Sequence, residues 1–289
     1  MAPRGIGMWL AFNARATTAV ENAVIVEQAK RAGLGWLAIK LGDGGRSTRW
    51  LSRGPDLVRR LRDAGIGAYT WTYSRPGSWP FEADEIARVL TAGDSDGHII
   101  DAELEWEGVV AGHDTRPSAS AFMSRLRAAV GDAFLAHAPI WLPHAHPTFP
   151  YREFGERADA VLPQFYWTAA KRTVLDFCTH ADAAWAELRA HDPGAAPAVW
   201  PIGITYGAGD GWYLWTTEPG AVRLTAEDLD AFLQRYRDVP VSLFSWEAAN
   251  AAAWGVLNGY ADASRLAGEG ELERLPDTLP APPEEREPS

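Results

Sequence analysis

Four acidic side chains occupy every second position of the stretch GHIIDAELEWEG, residues 97–108: Asp101, Glu103, Glu105 and Glu107. In an extended strand, residues two apart lie on the same face and are about 6.6 Å apart, so these acids would lie side by side. Like charges at that distance raise the pKa of one carboxyl, which places a protonated acid beside an ionised partner. Such a pair can protonate a leaving group and stabilise a cationic centre, as glycoside hydrolysis requires.

The spacing alone leaves the stereochemistry of that reaction open. Retention needs carboxyls about 5–5.5 Å apart and inversion needs roughly 6.5–9.5 Å, and acids two apart on a strand can satisfy either. The acids could instead form a solvated loop, pair with arginines, or bind a hard cation through their oxygens. Asp101 and Glu103 follow the apolar run HII without a turn residue, so they fit the strand interpretation better than Glu105 and Glu107.

Alternating strands and helices would position these acids. Eight β-rich runs are separated by amphipathic helical patterns, and they span residues 5–12, 35–41, 65–73, 97–104, 138–143, 160–167, 198–205 and 241–246. This alternation predicts an α/β fold, a (β/α)8 barrel of the TIM type. The acidic run is the fourth strand, and in such barrels functional groups lie at the carboxyl ends of the strands.

A repeated sequence motif supports the barrel prediction. Residues 30–41, KRAGLGWLAIKL, and residues 62–73, RDAGIGAYTWTY, share a basic helix end, an Ala-Gly cap and a strand. The alternative is an open doubly wound sheet, which would be expected to carry a Gly-rich phosphate turn after its first strand; WLAFNARATT is not such a turn. We therefore expect one barrel domain, residues 1–266, followed by an acidic, Pro/Glu-rich tail, residues 267–289. The tail is predicted to be disordered, or a tether to a larger particle or partner.

The composition excludes several classes of function. The 289 residues carry 27 basic and 38 acidic side chains, a net charge of −11, so nucleic acid is not expected as a partner. No segment has transmembrane length, and the short apolar N-terminal run is predicted to be a strand rather than a signal peptide. We expect synthesis in the cytoplasm, and action at a cell wall only after release or delivery by a partner. The single cysteine, Cys178, is predicted to be a buried thiol on a helix.

Three loops carry weaker signals. His144 and His146 form a His-x-His pair, but no third ligand accompanies them, so loop histidines are favoured over a metal site and no cofactor is expected. Asp43 lies either in a plain turn or at a sugar site. Residues 206–220, rich in Gly and aromatic residues, form either a substrate lid or a hairpin turn.

The motifs resemble those of two glycosidase families. IIDAELE on a fourth strand resembles the D-x-E strand end of glycoside hydrolase family 25 lysozymes, and less closely the D-x-x-D-x-D-x-E strand of family 18 chitinases. Residues 161–167, VLPQFYW, are similar to the sixth strand of those barrels, and residues 241–247, VSLFSWE, are similar to the last strand with its aromatic floor. Family 25 also carries an early Asp on strand one, where this sequence has Gly7 and Trp9 instead.

The resemblance implies roles for particular residues. Asp101 and Glu103 would be the carboxylate pair, with Glu103 as the acid. Gln164 and Tyr166 would hold the sugar amide or the developing charge. The resemblance to the family 18 strand implies instead that the acid is Glu105.

Aromatic residues near the strand ends fit a sugar cleft, because the apolar faces of pyranose rings stack on them. The sequence has 14 tryptophans. The predicted substrate contacts, besides Gln164 and Tyr166, are Trp9, Trp71, Tyr73, Tyr206 and Trp246. Because strand residues alternate in direction, about half of the strand-end aromatics are expected to pack against the outer helices.

The leading hypothesis is therefore a glycoside hydrolase acting on an N-acetylated cell-wall polysaccharide, peptidoglycan before chitin, as in a phage lysin or a domain of a phage-like injection particle. The acidic charge would repel an anionic wall, although salt screens this within about 8 Å. Two alternatives remain: a non-catalytic carbohydrate-binding barrel, favoured by the missing strand-one Asp, and a hydrolase of another amino-sugar glycan.

Overall fold

The computed structural model describes residues 2–11, 21–47, 50–210 and 222–272. Within these ranges eight parallel strands line a barrel: β1 (Ile6–Leu10), β2 (Trp36–Asp43), β3 (Gly67–Ser74), β4 (Gly97–Ala102), β5 (Phe134–Ala138), β6 (Ala160–Val161), β7 (Ile202–Ile204) and β8 (Val241–Phe244). A two-residue strand, Arg46–Ser47, folds back antiparallel onto the end of β2.

Helices follow the strands around the outside. They are α1 (Asn22–Arg31), α2 (Trp50–Asp63), α3 (Trp79–Thr91), the short α4 (Gly108–Ala111), α5 (Arg116–Val130), the short α6 (Tyr151–Gly155), α7 (Val174–His191), α8 (Ala226–Arg235) and α9 (Ala251–Leu272). At the start of α8, Thr225 and Asp228 form a reciprocal capping box. The last helix continues past the predicted domain boundary at residue 266, and residues 273–289 of the predicted tail lie outside the described residues.

The eight strands form one sheet whose edges meet. In hydrogen-bonded order they run β6–β5–β4–β3–β2–β1–β8–β7. A parallel bridge between Gln164 and Ile202 joins the chain after β6 to β7. There the Ile202 N–H donates to Pro163 O at 2.8 Å, and the Phe165 N–H donates to Ile202 O at 2.7 Å. The sheet is therefore closed, and the predicted (β/α)8 barrel is confirmed.

The repeated Ala-Gly motif forms two equivalent helix-to-strand connections. Gly33, after α1, and Gly65, after α2, both adopt positive φ, 62° and 73°. In each joint the next residue, Leu34 or Ile66, donates its N–H back into the last helical turn, at 3.0 and 2.9 Å. This is the C-terminal cap that glycine permits, and it turns the chain directly into β2 or β3.

Prolines account for the strands that differ from the prediction. The predicted fifth strand at 138–143 is wrong: β5 spans Phe134–Ala138, because Pro139 cannot donate to the ladder. Beyond Pro139, Ile140 keeps one isolated bridge to Gln164. β6 and β7 are also shorter than predicted, since Pro163 and Pro201 interrupt their hydrogen-bonding pattern.

Two apolar layers hold the barrel together. The inner layer fills the barrel and includes Trp9, Trp36, Tyr69, Trp71 and Ile99. The outer layer lies between the strands and the helices. It contains Cys178, a fully buried free thiol on α7, as the sequence predicted. Among the described residues no helix is long and apolar enough to cross a membrane.

Candidate active site

Asp101 and Glu103 lie at the carboxyl end of β4, at the mouth of the barrel. Ile99 belongs to the inner apolar layer and Ile100 to the outer one, so the strand alternates between the two sides. Asp101, two residues after Ile99, therefore shares the inward face. The strand ends at Ala102, one residue earlier than Glu103, which stands at the rim.

One glutamine joins the two carboxyls. The Gln164 Nε2 donates to Asp101 Oδ1 at 3.0 Å and to Glu103 Oε1 at 2.8 Å. Because both oxygens bond the same nitrogen, they lie within about 6 Å of each other, so the charge of one carboxyl acts on the other. Gln164 follows the short strand β6, and its bridge to Ile202 fixes its backbone. The predicted grouping of Asp101, Glu103 and Gln164 is therefore present.

Both carboxyls are biased toward protonation. Burial raises the pKa of Asp101 well above its usual range and the charge of Glu103 raises it further, while Lys40 and then Gln164 lower it. Burial also raises the pKa of Glu103, opposed by the Gln164 hydrogen bond. Asp101 is 6% exposed, whereas Glu103 is half-buried. Glu103 is therefore the carboxyl that combines a raised pKa with access to the barrel mouth.

Glu105 lies beyond the strand, in a one-turn 3-10 helix, Leu104–Trp106. The hydroxyl of Tyr73, on β3, lies 2.7 Å from both Glu105 carboxylate oxygens and donates to them. Burial and then this hydrogen bond raise the pKa of Tyr73, so its hydroxyl stays protonated as a donor. The sequence predicted Tyr73 and Glu105 as site residues, and the structure brings them to the same rim as the β4 pair.

An aromatic layer lies beneath the carboxyls. The Trp9 ring meets the Trp71 ring edge-on at 5.1 Å, and both approach Phe244, at 6.2 and 6.3 Å. Tyr166 stacks on Phe244 at 5.9 Å and is half-buried. Trp9 and Trp71 are buried in the inner layer, so in this arrangement they support the site from below. Tyr73 and Tyr166 are the predicted aromatic residues that remain partly exposed beside the acids.

Strand β1 contributes no carboxylate to the barrel interior. Its inward residues are Gly7 and Trp9, followed by Ala11 just after the strand, and a Cβ at Gly7 would lie 2.1 Å from the Trp36 ring. The Trp36 indole therefore fills the space that a side chain on Gly7 would need. The Trp9 Nε1 donates to Ser242 Oγ at 2.9 Å, which ties β1 to β8.

Two predicted substrate contacts are not brought to the carboxyls. Tyr206 and Trp246 are 2% and 6% exposed and belong to the outer layer. Trp246 packs edge-on against Trp254 of α9 at 4.9 Å. Because they face the helices, they stabilise the barrel wall, as expected for about half of the strand-end aromatics. Most of the predicted lid at 206–220 lies outside the described residues.

The fourth acid of the run turns away from the site. Glu107 is buried after the 3-10 turn, and its Oε1 lies 3.2 Å from His146 Nδ1. His144 instead meets the His180 ring at 5.6 Å. Over the described ranges no group of three or more His, Cys, Asp or Glu could hold a metal ion. A cavity of about 570 Å³ beside this region is lined by residues such as Gly108 and Arg152, and by none of the carboxyls of the candidate site.

Sequence reasoning missed Lys40 and Phe244. Lys40 is the one charged residue within the run GWLAIKL, and it faces inward with Trp36 and Ala38. A lysine on the buried face of a strand is a signal that could have been noticed, because it needs an anionic partner nearby. Phe244 lies within the run VSLFSWE, but the substrate contact predicted from that run is Trp246.

Comparisons with known structures agree with the barrel. No family model and no curated protein sequence matches this chain. A glycoside hydrolase family 18 chitinase from Pseudoalteromonas aurantia matches with a TM-score of 0.57 and 12% identity, over 89% of this chain and 100% of that one. The catalytic domain of a Pyrococcus furiosus chitinase matches with a TM-score of 0.61 and 13% identity, over 92% and 95%. The Bacillus megaterium spore cortex-lytic enzyme SleL matches with a TM-score of 0.53 and 9% identity, over 89% and 74%.

At these identities the similarity establishes the fold and not the family. The structures that this chain resembles are family 18 chitinases and related glycoside hydrolases, which was the weaker of the two resemblances in the sequence. The family 25 resemblance gains no support from them.

Proposed function

We propose that the protein is a glycoside hydrolase that cleaves a polymer of N-acetylated amino sugars. The observation that carries this proposal is Gln164, which holds Asp101 and Glu103 together at the carboxyl end of the fourth barrel strand. Burial favours protonation of both groups, and a general acid near neutral pH requires a raised carboxyl pKa.

Glu103 is the proposed acid. Its protonated carboxyl donates to the glycosidic oxygen as the C1–O bond breaks, and the bonding electrons leave on that oxygen. The Asp101 carboxylate, or the acetamido oxygen of the substrate itself, stabilises the oxocarbenium-like carbon. The proposal places Tyr166 beside this oxocarbenium-like carbon. Water then adds to C1 and returns a proton to Glu103, which restores the enzyme.

The substrate class is supported by similarity and by the aromatic residues at the barrel mouth. The matched structures include chitinases and a spore cortex-lytic enzyme, so chitin and peptidoglycan are both substrates to test. Peptidoglycan was the preference from sequence and stays a prediction. The net charge of −11 weighs against an anionic wall, and it favours neutral chitin-type chains at low salt.

The test measures reducing-end release from purified peptidoglycan and from chitin oligosaccharides. We expect Glu103→Gln to lower turnover about 100- to 10,000-fold without loss of folding, which is the contribution typical of a general acid. Glu105→Gln is measured beside it, because the resemblance to family 18 implies that Glu105 is the acid. Glu27→Gln on α1, an exposed glutamate paired with Lys30, is the matched control.

The outcomes separate the hypotheses. A protein that sediments with the polymer but releases no reducing ends is a carbohydrate-binding barrel, and the hydrolase proposal is then wrong. If Glu103→Gln keeps full activity and Glu105→Gln loses it, the general acid is Glu105 in the 3-10 turn, and the proposed hydrolysis still stands.

A further inference from the structure

An arginine lies at the mouth of the barrel, beside the candidate site. Arg75 directly follows β3, and its guanidinium carbon lies over the Tyr73 ring, 5.4 Å from the ring centre. The hydroxyl of the same tyrosine donates to the Glu105 carboxylate at 2.7 Å. Arg75 and Glu105 therefore contact the same side chain, one at its ring and the other at its hydroxyl. Both lie within reach of neighbouring units of one glycan chain.

The loop that carries Arg75 is held on two sides. The Arg75 backbone N–H donates to Glu82 Oε1 at 3.2 Å, and the Ser78 hydroxyl donates to the same oxygen at 2.8 Å. Glu82 is 2% exposed, so its carboxyl ties the loop to the first turn of α3 from inside the protein. On the other side, a Cβ on Gly44 would lie 3.2 Å from Arg75 Cδ, so glycine at this position leaves room for the arginine side chain. Arg75 is therefore held between the turn after β2 and the Tyr73 ring.

Within the described part of the chain, the positive charge of Arg75 is only partly compensated. Asp43 lies 3.0 Å from Lys40 Nζ and 3.5 Å from the Arg75 guanidinium, so one carboxylate serves two cations. Charge-assisted hydrogen bonds are usually about 2.7–2.9 Å long, so the contact with Arg75 is the weaker of the two. Burial raises the pKa of Glu82, although its hydrogen bonds oppose this, which favours the neutral form of that carboxyl. The Arg75 side chain is 54% exposed, so its N–H donors face solvent.

A planar guanidinium with solvent-exposed donors binds a carboxylate through two parallel hydrogen bonds. We propose that Arg75 binds a carboxylate of the glycan chain, so that the barrel prefers an anionic amino-sugar polymer, such as peptidoglycan, to neutral chitin. This inference rests on the proposed function and selects among its substrates. The net charge of −11 opposes an anionic chain at long range, but salt screens that repulsion within about 8 Å, whereas Arg75 acts in direct contact.

Peptidoglycan strands freed of their peptides test the proposal, because each muramic acid unit then carries a free lactyl carboxylate. Amidation of the same strands removes this charge and keeps the sugar backbone. For the unsubstituted protein we expect amidation to lower kcat/KM for reducing-end release about tenfold to a hundredfold, as for the loss of one hydrogen bond to a charged group. Arg75→Gln should lower kcat/KM on the carboxylate strands by a similar factor and leave kcat/KM on the amidated strands nearly unchanged.

Arg88→Gln, on α3, is the matched control. The Arg88 side chain is 50% exposed and pairs with one acid, Glu85, so it resembles Arg75 in exposure and charge but lies away from the candidate site. This variant should respond to amidation as the unsubstituted protein does. The comparison of the two kinds of strand also needs no variant, so it tests the preference for a carboxylate even if Arg75→Gln is unstable.

Equal kcat/KM values on the carboxylate and amidated strands overturn the inference, and so does cleavage of chitin oligosaccharides alone; the proposed hydrolysis stands in both cases. An amidation penalty that persists in folded Arg75→Gln also overturns it, because another group then binds the carboxylate. If the unsubstituted protein cleaves no glycan, the proposed function is wrong, and affinity electrophoresis tests Arg75 by itself. The carboxylate strands must then retard the unsubstituted protein more than the amidated strands do, and Arg75→Gln must abolish that difference.

Discussion

Replacing Gln164 by methionine is the most direct perturbation of the carboxyl pair. Methionine keeps the length and apolar volume of the side chain but has no N–H to donate. The substitution therefore removes two hydrogen bonds at once, the 3.0 Å bond to Asp101 and the 2.8 Å bond to Glu103. Both bonds lower the pKa of their acceptors, so the variant should have carboxyls that are still harder to ionise.

The cost of Gln164→Met depends on pH. A hydrogen bond to an ionised group contributes about 1.5–3 kcal/mol to stability, and a neutral one contributes about 1 kcal/mol. A carboxyl with a raised pKa stabilises the fold below its unfolded pKa and loses that contribution as the pH rises through the folded pKa. Removing the donor raises the folded pKa further. The loss of stability should thus be about 1–2 kcal/mol larger at pH 8.5 than at pH 4.5 for one ionised partner.

Urea unfolding followed by tryptophan fluorescence measures this difference at the two pH values. Gln28→Met, on α1 outside the barrel, is the matched control and should show no pH-dependent deficit. If Gln164→Met costs the same at both pH values, the glutamine does not stabilise ionised carboxylates and our reading of the pair is wrong. Given activity on a glycan, the acid limb of the pH profile of kcat/KM should also move to higher pH in this variant.

Three further predictions test other parts of the structure. Tyr73→Phe removes the hydroxyl that donates to Glu105, so kcat/KM should fall about tenfold or more, and the free energy of unfolding should fall by about 1–3 kcal/mol because a hydrogen bond to a carboxylate is lost. Gly7→Ala should destabilise the barrel by about 1–3 kcal/mol in urea unfolding, because its Cβ would lie 2.1 Å from an indole, whereas Gly255→Ala, at an exposed position of α9, should stabilise it slightly. Burial raises the pKa of Cys178 to about 12, so a thiol reagent at pH 8 should label it only after unfolding, and rapid labelling of the folded protein would contradict its burial.

The fold could be predicted largely because its signals are local. The helix-to-strand joints at Gly33 and Gly65 each specify a turn within a few residues, and their repetition indicates a repeated unit. The predicted strand bounds were wrong where a single proline interrupts an apolar run. At Pro139 the sequence looks β-rich on both sides, yet the missing N–H ends the regular pairing of β5.

The site was predictable only in part, because its members meet across the barrel. Asp101 and Glu103 share a strand, so their proximity follows from the two-residue period. The contact with Gln164 depends on how β6 closes against β7, which no local pattern encodes. The direction of the aromatic side chains was equally hidden. A period of two would place Phe244 and Trp246 on the same face, but β8 ends at Phe244 and Trp246 packs in the outer layer.

The origin of the acids restricts the chemistry that the barrel can perform. Glu103 and Asp101 come from one strand, and both bond the amide of Gln164, so in the proposed hydrolysis we expect both to act from the same side of the sugar. β1 could have supplied an acid from another direction, but Trp36 fills the space beside Gly7. An attacking group on the opposite face of the sugar must then come from water or from the substrate. An acetamido group already bonded to the sugar needs no further positioning by the protein, which favours N-acetylated substrates over sugars that lack this group.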